Sequence, residues 1–160
     1  MISALQANKF YFEDLFFKDW ASTPVHFAGQ EFSADNLPEW INPTYHPRGG
    51  TIFGLSGDAT ELKGSLHVVC WADNDVKVMA LSDKVVDFIS QKVDNSLFRI
   101  KGFEVVDHAW HESNSVYLVL SFNIESYEGI CSIKEVVEYI VDHGVPVFDN
   151  GDQVIDKRSH

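Results

Sequence analysis

The sequence predicts an α+β domain with a mainly antiparallel, curved sheet flanked by helices, and with a long Gly/Pro-rich loop. Apolar residues alternate with a period of two over 116–126, and 64–71 is a short run that is mostly apolar on both faces; both patterns are typical of strands. Apolar residues recur at helical spacing in the segment that ends at Lys92 and in 132–143. The predicted strands are adjacent in sequence with helices between the groups, an order that favours antiparallel pairing.

The first segment, from about Ile2 to Trp20, has an approximate helical stripe and many aromatic residues, which predict a helix that packs on a sheet. Pro24 ends this region, because proline and the residue before it disfavour the α conformation. Val25 to Phe27 then reads as a short strand.

The next region is rich in glycine and proline. Trp40 to His46 reads as an extended strand, and the prolines at 43 and 47 restrict it to a sheet edge or to irregular pairing. Tyr45 to Asp58 is predicted to form a flexible loop, long for a compact domain. Exposed loops of this kind, with a few apolar residues, commonly bind protein partners.

Gly64 to Trp71 is predicted to be a central strand, because both of its faces are mostly apolar. The cluster Asp73-Asn74-Asp75 then provides a helix N-cap. The strand core is expected to lie under the two main helices and to include Leu66, Val68, Leu118, Leu120 and Phe122.

The second half of the chain predicts a hairpin followed by a helix. Phe98 to His108 and Val116 to Ser126 read as strands joined by the connection Trp110 to Ser115. A final helix is expected over Ser132 to His143, and a short strand over Val145 to Phe148. We divide the chain into an α+β domain, 1–127, and a C-terminal helix with a polar tail, 128–160, appended to the same domain.

Composition and charge exclude several classes of protein. The chain has 160 residues, and its 12 basic and 24 acidic side chains give a net charge of −12. This acidic balance disfavours binding to nucleic acid or to an anionic membrane. The sequence contains no signal peptide pattern and no apolar run long enough to span a membrane, so we expect a protein made in a cytoplasm.

No catalytic, metal or cofactor site is predicted, and we expect the chain not to be an enzyme. Cys70 and Cys131 lack metal-ligand spacing and read as buried reduced thiols. His108 and His111 would point to opposite faces of a strand rather than to a shared metal. The glycines of 49–57 match neither a phosphate loop nor a dinucleotide-binding pattern.

The order of elements and several short segments resemble the tail terminator proteins of long-tailed bacteriophages, and the related small head–tail joining proteins. The resemblance covers about residues 2 to 126 as a pattern rather than as a diagnostic motif. It is carried by the following segments: Pro24-Val25-His26-Phe27, Leu37-Pro38-Glu39-Trp40-Ile41, Pro47-Arg48-Gly49-Gly50, the strand Gly64 to Trp71 with the helix up to Ile89, and the strand pair around Val105 and Leu120.

The resemblance implies a structural protein of the virion. Members of the family form a hexameric ring on the head-proximal end of the tail tube, stop its polymerisation and present a surface to the head connector. The implied partners are further copies of the chain, the tail tube protein and the head connector or head-completion protein, while DNA passes through without tight binding. The candidate interface residues lie in the predicted loop: Tyr45, Arg48, Gly49, Gly50, Ile52, Phe53 and Leu55.

A second hypothesis belongs to another class of function. In it, the chain is a small, soluble α+β domain, monomeric or dimeric, that binds a small ligand or regulates a host protein. The two hypotheses differ in oligomeric state and in affinity for tail tubes.

We predict that the protein binds DNA weakly or not at all, because its excess of acidic groups repels phosphates within a Debye length. An electrophoretic mobility assay at micromolar protein in about 150 mM salt measures this. A clear shift of the DNA under these conditions would reveal a basic patch strong enough to overcome the net charge.

Overall fold

The computed structural model describes residues 3–53, 59–112, 115–128, 133–142, 146–149 and 153–156. Within this part of the chain the elements are α1 (Ala4–Asp19), β1 (Glu39–Phe53), β2 (Ala59–Ala72), α2 (Asp75–Lys92), β3 (Phe98–Glu112), β4 (Ser115–Glu128), α3 (Ile133–Asp142), β5 (Pro146–Asp149) and β6 (Gln153–Asp156). The α+β class predicted from the sequence is confirmed.

The four long strands form one antiparallel sheet in the order β1-β2-β4-β3. The central pair, β2 and β4, places Val68 opposite Leu120 and Leu66 opposite Phe122. All five predicted core residues of these strands are buried, as listed here: Leu66, Val68, Leu118, Leu120 and Phe122. The alternation in the sequence therefore identified the buried face correctly.

Side-chain hydrogen bonds from the residue before each long helix cap the helix N-terminus. Ser3 caps α1 in a capping box, since its hydroxyl accepts from the Gln6 amide and the Gln6 side chain accepts from the Ser3 amide. Asn74, in the predicted cap cluster, accepts from the Lys77 amide at the start of α2.

Both long helices pack on the same face of the sheet. Helix α1 lies against β1, and α2 lies against β2 and β4. Aromatic contacts join the two helices, with the Phe88 ring 4.9 Å from Phe16 and 5.2 Å from Trp20. Helix α3 contacts α1 and places Val137 in the same core. We call the opposite face, on which none of these helix contacts falls, the open face.

Several strands are longer than the sequence predicted. Residues 47–53, expected in a loop, continue β1 and pair with β2, while 54–58 lie outside the described residues. Likewise β3 and β4 extend into the predicted 110–115 connection. Backbone pairing across the hairpin outweighs the low strand propensity of glycine and proline, and a register shift between Pro47 and Gly49 accommodates them.

The two short predicted strands differ in outcome. Of Val25 to Phe27, only Val25 forms a bridge, a parallel one to Ile41 on the edge strand. The C-terminal strand is present as β5, and it pairs with β6, which the sequence analysis did not predict. No helix within the described residues is both long and apolar enough to cross a membrane.

We predict that Leu120→Ala lowers the free energy of unfolding by about 2–5 kcal/mol, because it empties a packed site under the helices. Val119→Ala, one residue away on the open face, is the control and should cost less, since Val119 is only half-buried. Chemical denaturation measures both. Equal losses would show that the two faces are not buried as described.

Candidate interaction surface on the open sheet face

The predicted interface residues do not form one surface. Arg48, Gly49 and Gly50 are exposed near the end of β1. Ile52 and Phe53 lie further along β1, opposite Thr60 and Ala59. Leu55 lies outside the described residues.

Tyr45 is a core residue rather than a surface contact. Its side chain is 8% exposed, and its ring stacks on Phe12 at 5.7 Å. The Asn8 amide donates to the Tyr45 hydroxyl at 3.0 Å and to the Ser126 hydroxyl at 3.0 Å. Burial raises the pKa of Tyr45. The alternation of β1 explains the difference, because Tyr45 has the same parity as the buried Ile41.

Gly64 makes room for the Tyr45 ring. A Cβ at Gly64 would lie 2.1 Å from the Tyr45 hydroxyl oxygen, a separation that real atoms do not tolerate. The two residues lie on neighbouring strands, two positions out of direct register and on the same face, since Tyr45 pairs with Leu66 and Gly64 with Pro47. Glycine at this position is therefore required for Tyr45 to reach Asn8 beneath the sheet.

Arg48 lies at a bulge that turns the edge strand. Pro47 pairs with Gly64 and Gly49 with Lys63, which leaves Arg48 as the extra residue. Gly49 adopts φ +135°, a conformation that other residues rarely reach. Arg48 lines a cleft of about 550 Å³ together with Lys63, Lys101 and Glu125. Three cationic side chains and one carboxylate thus converge at one end of an otherwise acidic protein.

The opposite end of the open face is aromatic. The indole rings of Trp40 and Trp71 stack across β1 and β2, with centroids 5.2 Å apart and planes 9° apart. His111 meets the Trp71 ring edge-on at 5.4 Å, and Tyr117 lies 5.1 Å from it. Phe32 extends this row, 4.9 Å from Trp40. Of this row, Trp40, Trp71 and His111 line a cleft of about 380 Å³ together with Asp35 and Asp73.

A histidine pair lies between the two ends. The rings of His46 and His67 are 4.5 Å apart. Burial lowers the pKa of His67, and the charges of His46 and Arg48 lower it further. The surroundings of His67 on the open face therefore disfavour additional positive charge.

No prediction made from the sequence covered the aromatic cleft. Trp71 lies on the open face, next in the chain to the buried Cys70 on the helix side. What the sequence does not contain is the register that brings Trp40 next to Trp71 and Asp73 next to Asp35. The available signal was one tryptophan on the face opposite the buried residues in each of two neighbouring strands, Trp40 beside Ile41 and Trp71 beside Cys70.

The other chemical groups singled out in the sequence lie apart from this face or have local partners. Burial raises the pKa of the Cys70 thiol to about 12, which makes it a poor nucleophile. His108 lies 3.0 Å from the Asp75 carboxylate on α2, whereas His111 contacts Trp71, so the two histidines do point to opposite faces. Cys131 lies outside the described residues.

We predict that His67 reduces the stability of the protein at acidic pH. Its pKa is lowered in the folded state, so the unfolded chain binds more protons as the pH falls below about 6.5, and the folded state loses stability. The variant His67→Gln does not titrate, so its free energy of unfolding should fall less between pH 7.5 and pH 5.5, a window of about one pH unit on either side of an ordinary histidine pKa.

The neighbouring substitution Thr44→Val serves as the control, since it changes a pairing partner of His67 without removing a titratable group. It should leave the pH dependence of the parent unchanged. Parallel stability curves for the parent protein and His67→Gln would mean that His67 is as easily protonated in the folded state as in the unfolded one.

Comparison with known proteins does not identify a family for the chain. No protein-family model matches the chain, and a search of curated proteins finds no significant match. The resemblance to tail terminator proteins therefore rests on the element order and on the segments described above.

Proposed function

We propose that the chain is a tail terminator protein of a long-tailed bacteriophage. In this role it forms a ring of several copies, six by analogy with the family, at the head-proximal end of the tail tube. The observation that carries the proposal is the open face, which neither long helix covers and on which Phe32 and His26 contact only the end at Trp40, with the exposed Arg48-Gly49-Gly50 segment at its edge. A sheet exposed in this way is suited to contact with further protein subunits.

The apolar side chains of the open face support an assembly role. Trp40, Trp71 and Tyr117 are half-buried, and each presents ring surface as part of one continuous row. Aromatic side chains are enriched where proteins meet, because they bury a large area while ordering few rotatable bonds. In this proposal the protein is a structural component and not an enzyme.

The net charge is compatible with a ring through which DNA moves. With −12 charges per copy, six copies carry a large negative charge, and an acidic lumen repels phosphates. Such a ring leaves DNA free to slide during packaging and ejection. In this proposal the protein is made in the host cytoplasm and ends in the virion, between the tail tube protein and the head connector.

The proposal predicts that the purified protein ends tube growth. When it is added to polymerising tube protein of the phage that encodes it, tubes should become shorter and carry a ring at one end. Negative-stain electron microscopy measures both the tube length and the ring. An equal concentration of an unrelated acidic protein of similar size is the control.

A protein that stays monomeric in solution and leaves the tube length unchanged would contradict the proposal. That outcome would favour the second hypothesis, a small ligand-binding or host-regulatory domain.

A further inference from the structure

The two ends of the open face have complementary chemistry. We call Arg48, Lys63 and Lys101 the basic end, because they line one cleft. We call the cleft lined by Trp40, Trp71, Asp35 and Asp73 the acidic pocket. The two clefts share no lining residue.

The acidic pocket suits an arginine side chain. Its wall is formed by two stacked indoles, and its lining includes two carboxylates. A guanidinium stacks on tryptophan faces and donates to carboxylates in the same plane. Asp73 pairs with Lys77 at 3.5 Å, but both side chains are about half exposed, so this ion pair contributes little.

Arg48 is the side chain at the basic end best suited to enter such a pocket. Lys63 and Lys101 have carboxylate neighbours, Glu61 at 3.6 Å and Glu125 at 3.8 Å. Within the described part of the chain, no carboxylate lies within ion-pair distance of Arg48. Arg48 is exposed at the bulge of an edge strand, which leaves its side chain accessible to a second molecule.

The basic end and the acidic pocket of one copy cannot meet. Trp40 and Arg48 lie on the same strand, eight positions apart. At a rise of about 3.3 Å per residue they are separated by roughly 25 Å. A contact between Arg48 and the acidic pocket must therefore join two molecules.

We propose that Arg48 of one copy docks in the acidic pocket of a second copy, with Lys63 and Lys101 facing the acidic rim. This inference rests on the proposed function, since it names the contact between neighbouring subunits of the ring. The contact uses two different surfaces of the same chain. Such a head-to-tail contact leaves one basic end and one acidic pocket free in every dimer. Further copies can therefore add until the last one meets the first and the ring closes.

Charge reversal tests the contact in the full-length protein. Arg48→Glu and Asp35→Lys should each raise the subunit dissociation constant by about 10- to 100-fold, because each places like charges together. The double variant Arg48→Glu/Asp35→Lys should recover most of the affinity, since every copy then carries the exchanged pair. Analytical ultracentrifugation over a concentration series measures the dissociation constant.

Two matched variants control for net charge. Lys84→Glu and Asp87→Lys change the net charge by the same amounts on the exposed surface of α2. They should leave the dissociation constant within a few-fold of the parent value. Circular dichroism of each variant verifies that the fold is retained.

The outcomes separate this inference from the proposed function. An assembly that forms rings but ignores charge reversal at Arg48 and Asp35 overturns the contact and leaves the tail terminator proposal standing. Association that responds as predicted, in a protein that does not end tubes, supports the contact and contradicts the tail terminator proposal. A parent protein that is monomeric at every concentration in solution and forms no ring on tubes overturns both the contact and the tail terminator proposal.

Discussion

The packing of α1 and α2 on a single face of the sheet determines what remains for a partner. Leu120, Val68 and their neighbours are buried because two helices cover them. The aromatic residues of α1 make this cover dense: Phe16 is fully buried and contacts Phe88 of the second helix. The helices cover this face over β2 and β4, whereas Phe103 and Val105 of β3 lie on the same side and remain 51% and 54% exposed. The alternate residues of the same strands form the open face.

The packing of α1 also fixes the position of the edge strand β1. Asn8 of α1 is fully buried and binds both Tyr45 of β1 and Ser126 of β4, so one polar side chain connects the helix to two strands that are not neighbours. A buried polar group costs free energy unless it is paired, and the two hydroxyls pair the Asn8 amide nitrogen, while Asn8 Oδ1 has no hydrogen-bond partner among the described residues. The two bonds favour one position of β1. Beyond Tyr45 the strand passes its bulge at Arg48, and pairing with β2 resumes at Gly49.

The sequence was sufficient for the elements whose signal is local. The alternation over Val116 to Ile124 and the cap at Asn74 depend on near neighbours, and both were predicted correctly. Residues 47–53 were not, because glycine and proline indicate a loop when they are considered one by one, whereas pairing with β2 holds them in a strand. The acidic pocket was missed for a related reason: it depends on the register of β1 against β2 and on the position of Asp35, and neither has a local signal.

The central claim is that the two ends of the open face bind each other between copies. Zero-length carbodiimide crosslinking of the unmodified, assembled protein, mapped by mass spectrometry, tests it most directly. Lys63 lies within β2 and Asp73 directly follows its last residue, so the two are about 30 Å apart and a direct bond between them can form only between two molecules. The account predicts crosslinks from Lys63 to Asp35 or Asp73. Assembled protein whose lysines at the basic end crosslink only to their own neighbours, Glu61 and Glu125, would contradict it.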